Sequence, residues 1–167
     1  RTYKRCCDAA SGPPGNNAGE FTLATNPKVS RRTATKEQRR LELIQATLGS
    51  IAQRGIGNTS IAHVAKEAGL SQGIVNLHFQ SKERLFTESL RHLADEYRTN
   101  WENTLEKAGE DPAARLAALV NMDFSRKVCE RKKLAVWFAF WGEARSRPTY
   151  AKICAERDIE YEKALSS

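Results

Sequence analysis

Two short amphipathic patterns hinged on a glycine constrain this chain more than any other feature. They run from Thr59 to Leu85, TSIAHVAKEAGLSQGIVNLHFQSKERL. Thr59 and Ser60 can cap the first pattern, in which Ile61, Val64, Ala65 and Ala68 recur at helical spacing. Gly69 follows, where a chain leaving a helix often takes a positive φ that glycine adopts without a side-chain penalty. Leu70 is placed to fill the angle between two helices. Ser71 can cap the second, from Gln72 to His78, which Phe79 closes on an apolar anchor. The spacing predicts a helix-turn-helix, whose second helix is shaped to enter a DNA major groove. A plain helical corner packed for stability has the same outline.

Residue types in the second helix divide by task. Val75 and Phe79, four apart, point toward a core. Gln72, Gly73, Ile74, Asn76, Leu77 and His78 remain for a DNA face. Gln and Asn can pair with adenine N6 and N7, and Ile or Leu can touch a thymine methyl. Gly73 allows close approach of a phosphate backbone, and Leu77 is either a base contact or packed on the helix before it. His78 is a phosphate contact or a partly buried packing residue. Lys82, in the first turn of the next helix, can hold a phosphate together with nearby backbone N–H groups.

Charge points the same way. The chain carries +7, of which +4 falls in residues 31–100. Residues 31–40, RRTATKEQRR, hold Arg31, Arg32, Lys36, Arg39 and Arg40 against the single acid Glu37. A basic arm of this kind can follow a DNA backbone or enter the minor groove, and it also suits a soluble tail. Thr35 opens a first helix with Gln38 placed to complete a capping box. Its apolar stripe is Leu41, Ile44, Leu48 and Ile51, and Gly55 and Gly57 close it. Residues 1–30, with Gly12-Pro13-Pro14-Gly15-Asn16-Asn17, oppose regular structure and are expected to be disordered.

Beyond the hinge the chain stays helical. Ser81 caps a long helix carried by Leu85, Phe86, Leu90, Leu93, Tyr97, Trp101 and Leu105. Asp111 and Pro112 restart the chain after a break, and Leu116, Leu119, Val120 and Phe124 form the next stripe. Arg126–Lys133 reads as a basic connection. The run from Leu134 to Trp141 is apolar on every side, so neighbouring helices or a partner subunit must cover it. Pro148 and Tyr150 begin a last helix with Ile153, Cys154, Tyr161 and Leu165 on one side. The fold class is all-α, divided as 1–30 extension, 31–80 helix-turn-helix domain, 81–108 connector helix and 109–167 partial regulatory domain.

Cys6, Cys7, Cys129 and Cys154 make no CxxC pair, and His63, His78 and His92 lack metal-ligand spacing, so no disulfide framework, metal or cofactor is expected. No run is long enough to span a membrane, and the N-terminus lacks the apolar core of a secretory signal, which suggests a cytoplasmic protein. No nucleophile–base pair, phosphate-binding glycine loop or carboxylate pair points to an enzyme.

Thr59, Ile61-Ala62, Ala65, Ala68-Gly69-Leu70-Ser71, Gly73, His78-Phe79, Ser81-Lys82-Glu83 and Leu85 together resemble the TetR family of bacterial one-component repressors. The resemblance implies a homodimer reading a palindromic double-stranded DNA operator. Its DNA contacts would come from Arg31, Arg32, Arg39, Arg40, Thr59, Ser71, Gln72, Gly73, Ile74, Asn76, Leu77, His78 and Lys82. Where the family often has Thr, Tyr and Tyr, this chain has Ile74, Asn76 and His78, so the operator does not carry over from relatives. The long helix would transmit ligand binding to the reading heads. The stretch AVWFAFWGEARSRPTY is similar to the second domain of BetI-type repressors, the choline-responsive branch. That implies an effector such as choline or another quaternary amine, control of glycine betaine synthesis genes, and a pocket drawn from Trp101, Trp137, Phe138, Phe140 and Trp141. Glu143 or Asp123 can add a negative charge there. The same aromatics also suit core or dimer-interface anchors. Set against the family pattern, the last helix is expected to be cut short and a second C-terminal helix missing. The alternative is an architectural helix-turn-helix protein that binds DNA without a ligand and with little sequence preference.

Overall fold

The first five helices each begin where a short polar side chain meets an apolar stripe, and the computed structural model, which describes residues 35–166, shows these caps formed. Seven helices follow one another among the described residues: α1 Lys36–Asn58, α2 Ile61–Ala68, α3 Gln72–Phe79, α4 Lys82–Ala108, α5 Pro112–Asp123, α6 Arg131–Ala144 and α7 Pro148–Ser166. The expected all-α class is what the chain adopts. Thr35 caps α1 as expected: its hydroxyl accepts from the Gln38 backbone N–H at 3.2 Å, and Gln38 returns the bond at 2.8 Å. Gly55 breaks the regular helix with φ 75°, a value glycine tolerates, and a final turn carries the chain to Asn58.

Ser60 caps α2 and His63 closes the box from inside it. Gly69 is left-handed at φ 63°, which turns the chain into Ser71, the cap of α3. Between α3 and α4 the reversal falls to Gln80 at φ 64°, a conformation that costs a residue with a side chain about 1–2 kcal/mol. Asn76 O accepts from the Gln80 N–H at 2.8 Å, and Ser81 caps α4 at once. The helix-turn-helix is thereby closed at both ends.

Burial divides into two cores. The larger joins Leu43, Ile44 and Ile51 of α1, Val64 of α2, Val75 and Phe79 of α3, and Leu85, Phe86 and Leu90 of α4 with Val136 and Phe140 of α6 and Tyr150 of α7. The smaller holds Trp101 and Leu105 of α4 against Leu119 of α5, with Tyr97 and Tyr161 beside them. Helix α4 contributes buried residues to both, and α7 also reaches each of them.

Two stripes behave differently from the expectation. In α5 only Leu119 is buried, while Leu116, Val120 and Phe124 are exposed, Phe124 by 81%. In α6 Val136 and Phe140 are buried, yet Phe138 and Trp141 are exposed. Helical spacing shows which residues share a face, whereas coverage depends on what packs there. The last helix also departs from its stripe: Tyr150 and Ile153 are buried, but Leu165 is exposed.

The eight-residue α3 is too short to persist alone, so its position depends on its two buried anchors. Phe79→Ala is expected to cost about 3–5 kcal/mol of stability. Leu77→Ala, at a residue 75% exposed, is expected to change it by no more than about 0.5 kcal/mol. Urea unfolding of the two variants checks both values.

Candidate nucleic-acid interface and effector cleft

With Val75 and Phe79 held in the core, α3 turns Gln72, Gly73, Asn76 and Leu77 outward. Ile74 and His78 sit half-buried at the edge of that face. They meet Thr35, Lys36 and Arg39 of α1 across a cleft of about 450 Å³. Lys36, Arg39 and Arg40 crowd positive charge around His78, and burial followed by these three charges holds its imidazole below the ordinary 6.5. Lys82 is exposed, its ammonium 5.1 Å from the centre of the Phe86 ring.

Other residues expected at this interface also make contacts within the protein. Thr59 is buried, and its hydroxyl donates to Gly55 O at 2.7 Å, tying down the broken end of α1. Ser71 spends its hydroxyl on the Ile74 N–H. Arg40 pairs with Glu88 at 2.8 Å and lies 4.8 Å over the Phe79 ring, so it fastens α1 to α4 across the foot of α3. Arg39 pairs with Glu42 at 2.6 Å. Arg31 and Arg32 lie outside the described residues.

Below the reading head, the aromatic run of α6 separates by face. Trp137 and Trp141, with ring centres 5.8 Å apart, line a cleft of about 260 Å³. Phe140 instead packs edge-on against Tyr150 at 5.1 Å, Phe138 points outward, and Trp101 sits in the smaller core behind Tyr161. Of the five residues expected in a pocket, two reach it. Across the cleft stand Tyr97 and Tyr161, 5.9 Å apart, and Asp123, which accepts from the Tyr97 hydroxyl at 2.8 Å and the Tyr161 hydroxyl at 3.1 Å. Asp158 and Arg157 complete the rim. Arg157 is already paired, with Asp95 at 2.9 Å and Glu160 at 2.6 Å.

Of the two acids expected there, Asp123 reaches the cleft, whereas Glu143 is turned to Arg147 at 3.0 Å. The two tyrosines were missed because they lie on α4 and α7, 26 and 38 residues from their shared carboxylate. Only their stripe positions hinted at them. Four aromatic rings with a carboxylate can hold a small organic cation, since ring faces and carboxylate both attract positive charge. The volume suits a small ligand. A second cleft of about 340 Å³, edged by Gln45, Glu67, Glu96, Glu130, Lys132 and Lys133, offers no aromatic ring.

The cleft and the head are joined through α6 and α7. Arg147 reaches Glu83 at the start of α4 at 2.6 Å while holding Glu143 of α6. Its guanidinium also lies 5.6 Å over the Tyr150 ring. Burial and then the Glu83 charge push the Tyr150 hydroxyl up to about 12.

A capped helix-turn-helix with an outward polar reading face, continuous with a helical body that holds a small cleft, defines a DNA-binding regulator rather than an enzyme. Residues 43–88 match the profile of bacterial regulatory proteins of the tetR family, and residues 112–167 match the C-terminal profile of BetI-type transcriptional repressors. The chain belongs to the TetR family. It is 34% identical over 155 residues to the HTH-type transcriptional regulator BetI of Paraburkholderia phymatum, covering 84% of this chain and 76% of that one. Among solved structures, a transcriptional regulator of Pseudomonas aeruginosa PAO1 superposes with a TM-score of 0.74 at 27% identity, over 84% of this chain and 67% of that one. A regulator of Saccharomonospora viridis solved in complex with choline shares the fold, with a TM-score of 0.66 at 22% identity over 77% and 66% of the two chains. Among the described residues, no helix is long and apolar enough to cross a membrane.

The tyrosines are expected to make the structure sensitive to alkali. Tyr97 is raised well above 10.0 by burial and by Asp123, and Tyr150 and Tyr161 are raised with burial as the first cause. Groups that keep their protons longer folded than unfolded contribute full stability below the unfolded value, and that contribution fades as pH rises past it. Thermal unfolding followed by circular dichroism is expected to show stability falling above about pH 10, less steeply in Tyr97→Phe.

Proposed function

We propose that the protein represses transcription in the cytoplasm as a homodimer on a palindromic operator, and that a small quaternary ammonium compound, choline first among them, releases it. The observation carrying the ligand half is the cleft of Trp137, Trp141, Tyr97 and Tyr161 around Asp123. The genes controlled are those of glycine betaine synthesis. That reading is supported by the 34% identity to a regulator named BetI and by the BetI-type C-terminal profile. Ligand in the cleft favours an arrangement of α6 and α7 that pulls on the start of α4, and release follows from the difference in ligand affinity between the two arrangements.

Gln72 and Asn76 read base edges, Leu77 meets a thymine methyl, and Lys36, Arg39 and Lys82 hold phosphates. Gly73 supports close approach of DNA. A Cβ built there would meet only Ser71 Oγ, at 3.7 Å, so nothing in the protein's own packing calls for glycine. Gly73→Ala is expected to raise stability by up to about 1 kcal/mol while weakening DNA binding. Asn76→Ala is expected to cost about 1–3 kcal/mol on the preferred operator and to relax preference at one base pair. Equal weakening on every sequence would remove Asn76 from the base readers.

Selection of duplexes from a random library tests the DNA half. An inverted repeat supports a sequence-reading dimer, and recovery of no motif favours architectural binding. Thermal-shift titration tests the ligand half. Choline should stabilise the protein and release the selected duplex, and Trp141→Ala should weaken choline by about 0.5–2 kcal/mol, or roughly two- to thirtyfold. No response to choline, betaine aldehyde or similar cations would sink the assignment.

A further inference from the structure

The cleft between the N-terminus of α1 and the outer edge of α3 is an anion site by composition. Lys36, Arg39, His78 and the Thr35 hydroxyl line it with Ile74 and Leu77, and no carboxylate does. The nearby acids Glu42 and Glu88 are held by Arg39 and Arg40. Among the described residues, the charges acting on the imidazole are Lys36, Arg39 and Arg40, all from α1, while α2 and α4 contribute none.

We propose that His78 is a proton-linked phosphate contact: one DNA backbone phosphate enters between Lys36, Arg39 and the imidazole, which takes up a proton from solvent as the complex forms. The inference rests on α3 being the helix that meets DNA. In the free protein burial, and after it three cations, disfavour a further positive charge and hold the ring below the ordinary 6.5. A phosphate offsets those cations and accepts a hydrogen bond from the ring, which favours the protonated form. Because the bound state holds more protons, affinity must rise as pH falls. Lys36 and Arg39 line the same cleft and supply its attraction for phosphate at neutral pH. The linkage is therefore particular to histidine at this position.

The test is fluorescence anisotropy with a labelled mixed-sequence duplex at constant ionic strength, between about pH 8 and 5.5. The wild-type protein should bind ~3- to 10-fold tighter per reading head at the acidic end than at the alkaline end, beyond any change seen in His78→Gln. Glutamine keeps a donor of similar reach but cannot titrate, so the two proteins should bind nearly alike at the alkaline end. His63 and His92 are present in both and cancel. Titration of the His78 ring by NMR, in the wild-type protein with and without duplex, gives a second readout that does not need the variant to fold. Its midpoint should start below 6.5 and move up with DNA. Equal pH slopes in the two proteins, or a ring midpoint that DNA leaves unmoved, would overturn the proposal. Tight but pH-independent binding removes only the role of His78, whereas no duplex binding at any pH removes the DNA reading beneath it.

Discussion

The structure depends on the burial of Phe79 and Val75 beneath a helix of only eight residues. A peptide of that length does not hold helical form in water, because ordering the first turn fixes several dihedrals for a single hydrogen bond. Two fully buried side chains, a serine cap and the guanidinium of Arg40 over the Phe79 ring supply the difference. Once they are seated, rotation of α3 about its axis is fixed. The outward direction of Gln72, Asn76 and Leu77 follows from that rotation, and so does the edge position of His78.

The same economy appears in α6, where adjacent pairs of residues serve different neighbours. Val136 and Phe140 join the core that α1 and α3 share, while Trp137 and Trp141, one step round the helix, line the cleft. A displacement of α6 is therefore felt by the wall of the cleft and by the foundation of the reading head together. Arg147 adds a polar tie, bridging Glu143 of α6 to Glu83 beside the end of α3. Ion pairs this exposed contribute little stability, so its interest lies in which elements it joins. Helix α4, which runs through both cores, completes the connection.

Much of the head was legible because its signals are local. Thr35 with Gln38, Ser71, Ser81, Asp111 with Pro112, and the left-handed Gly69 each act within about four residues, and each formed as read. Thr59 shows the limit. Its place before α2 suits either a cap or a phosphate contact, and only the break at Gly55 turned its hydroxyl inward to a free carbonyl. Arg40 was legible as a basic residue but not as a clamp, since Glu88 and Phe79 lie far along the chain.

The cleft was legible only in half, for a related reason. An aromatic run announces that rings are present without saying which side of the helix is covered, so Trp137, Phe138, Phe140 and Trp141 were indistinguishable until α7 and α1 took up their positions. Tyr97, Asp123 and Tyr161 lie on three different helices and meet only through packing. By itself the sequence determined the helices, their caps, the helix-turn-helix and the inward pair on α3, because hydrogen bonding near helix ends and apolar periodicity act over a few residues. Tertiary structure alone decided which aromatics face ligand, which carboxylate joins them, and which basic residues are spent inside the fold. Those outcomes depend on contacts between segments whose order along the chain carries no information about their distance in space.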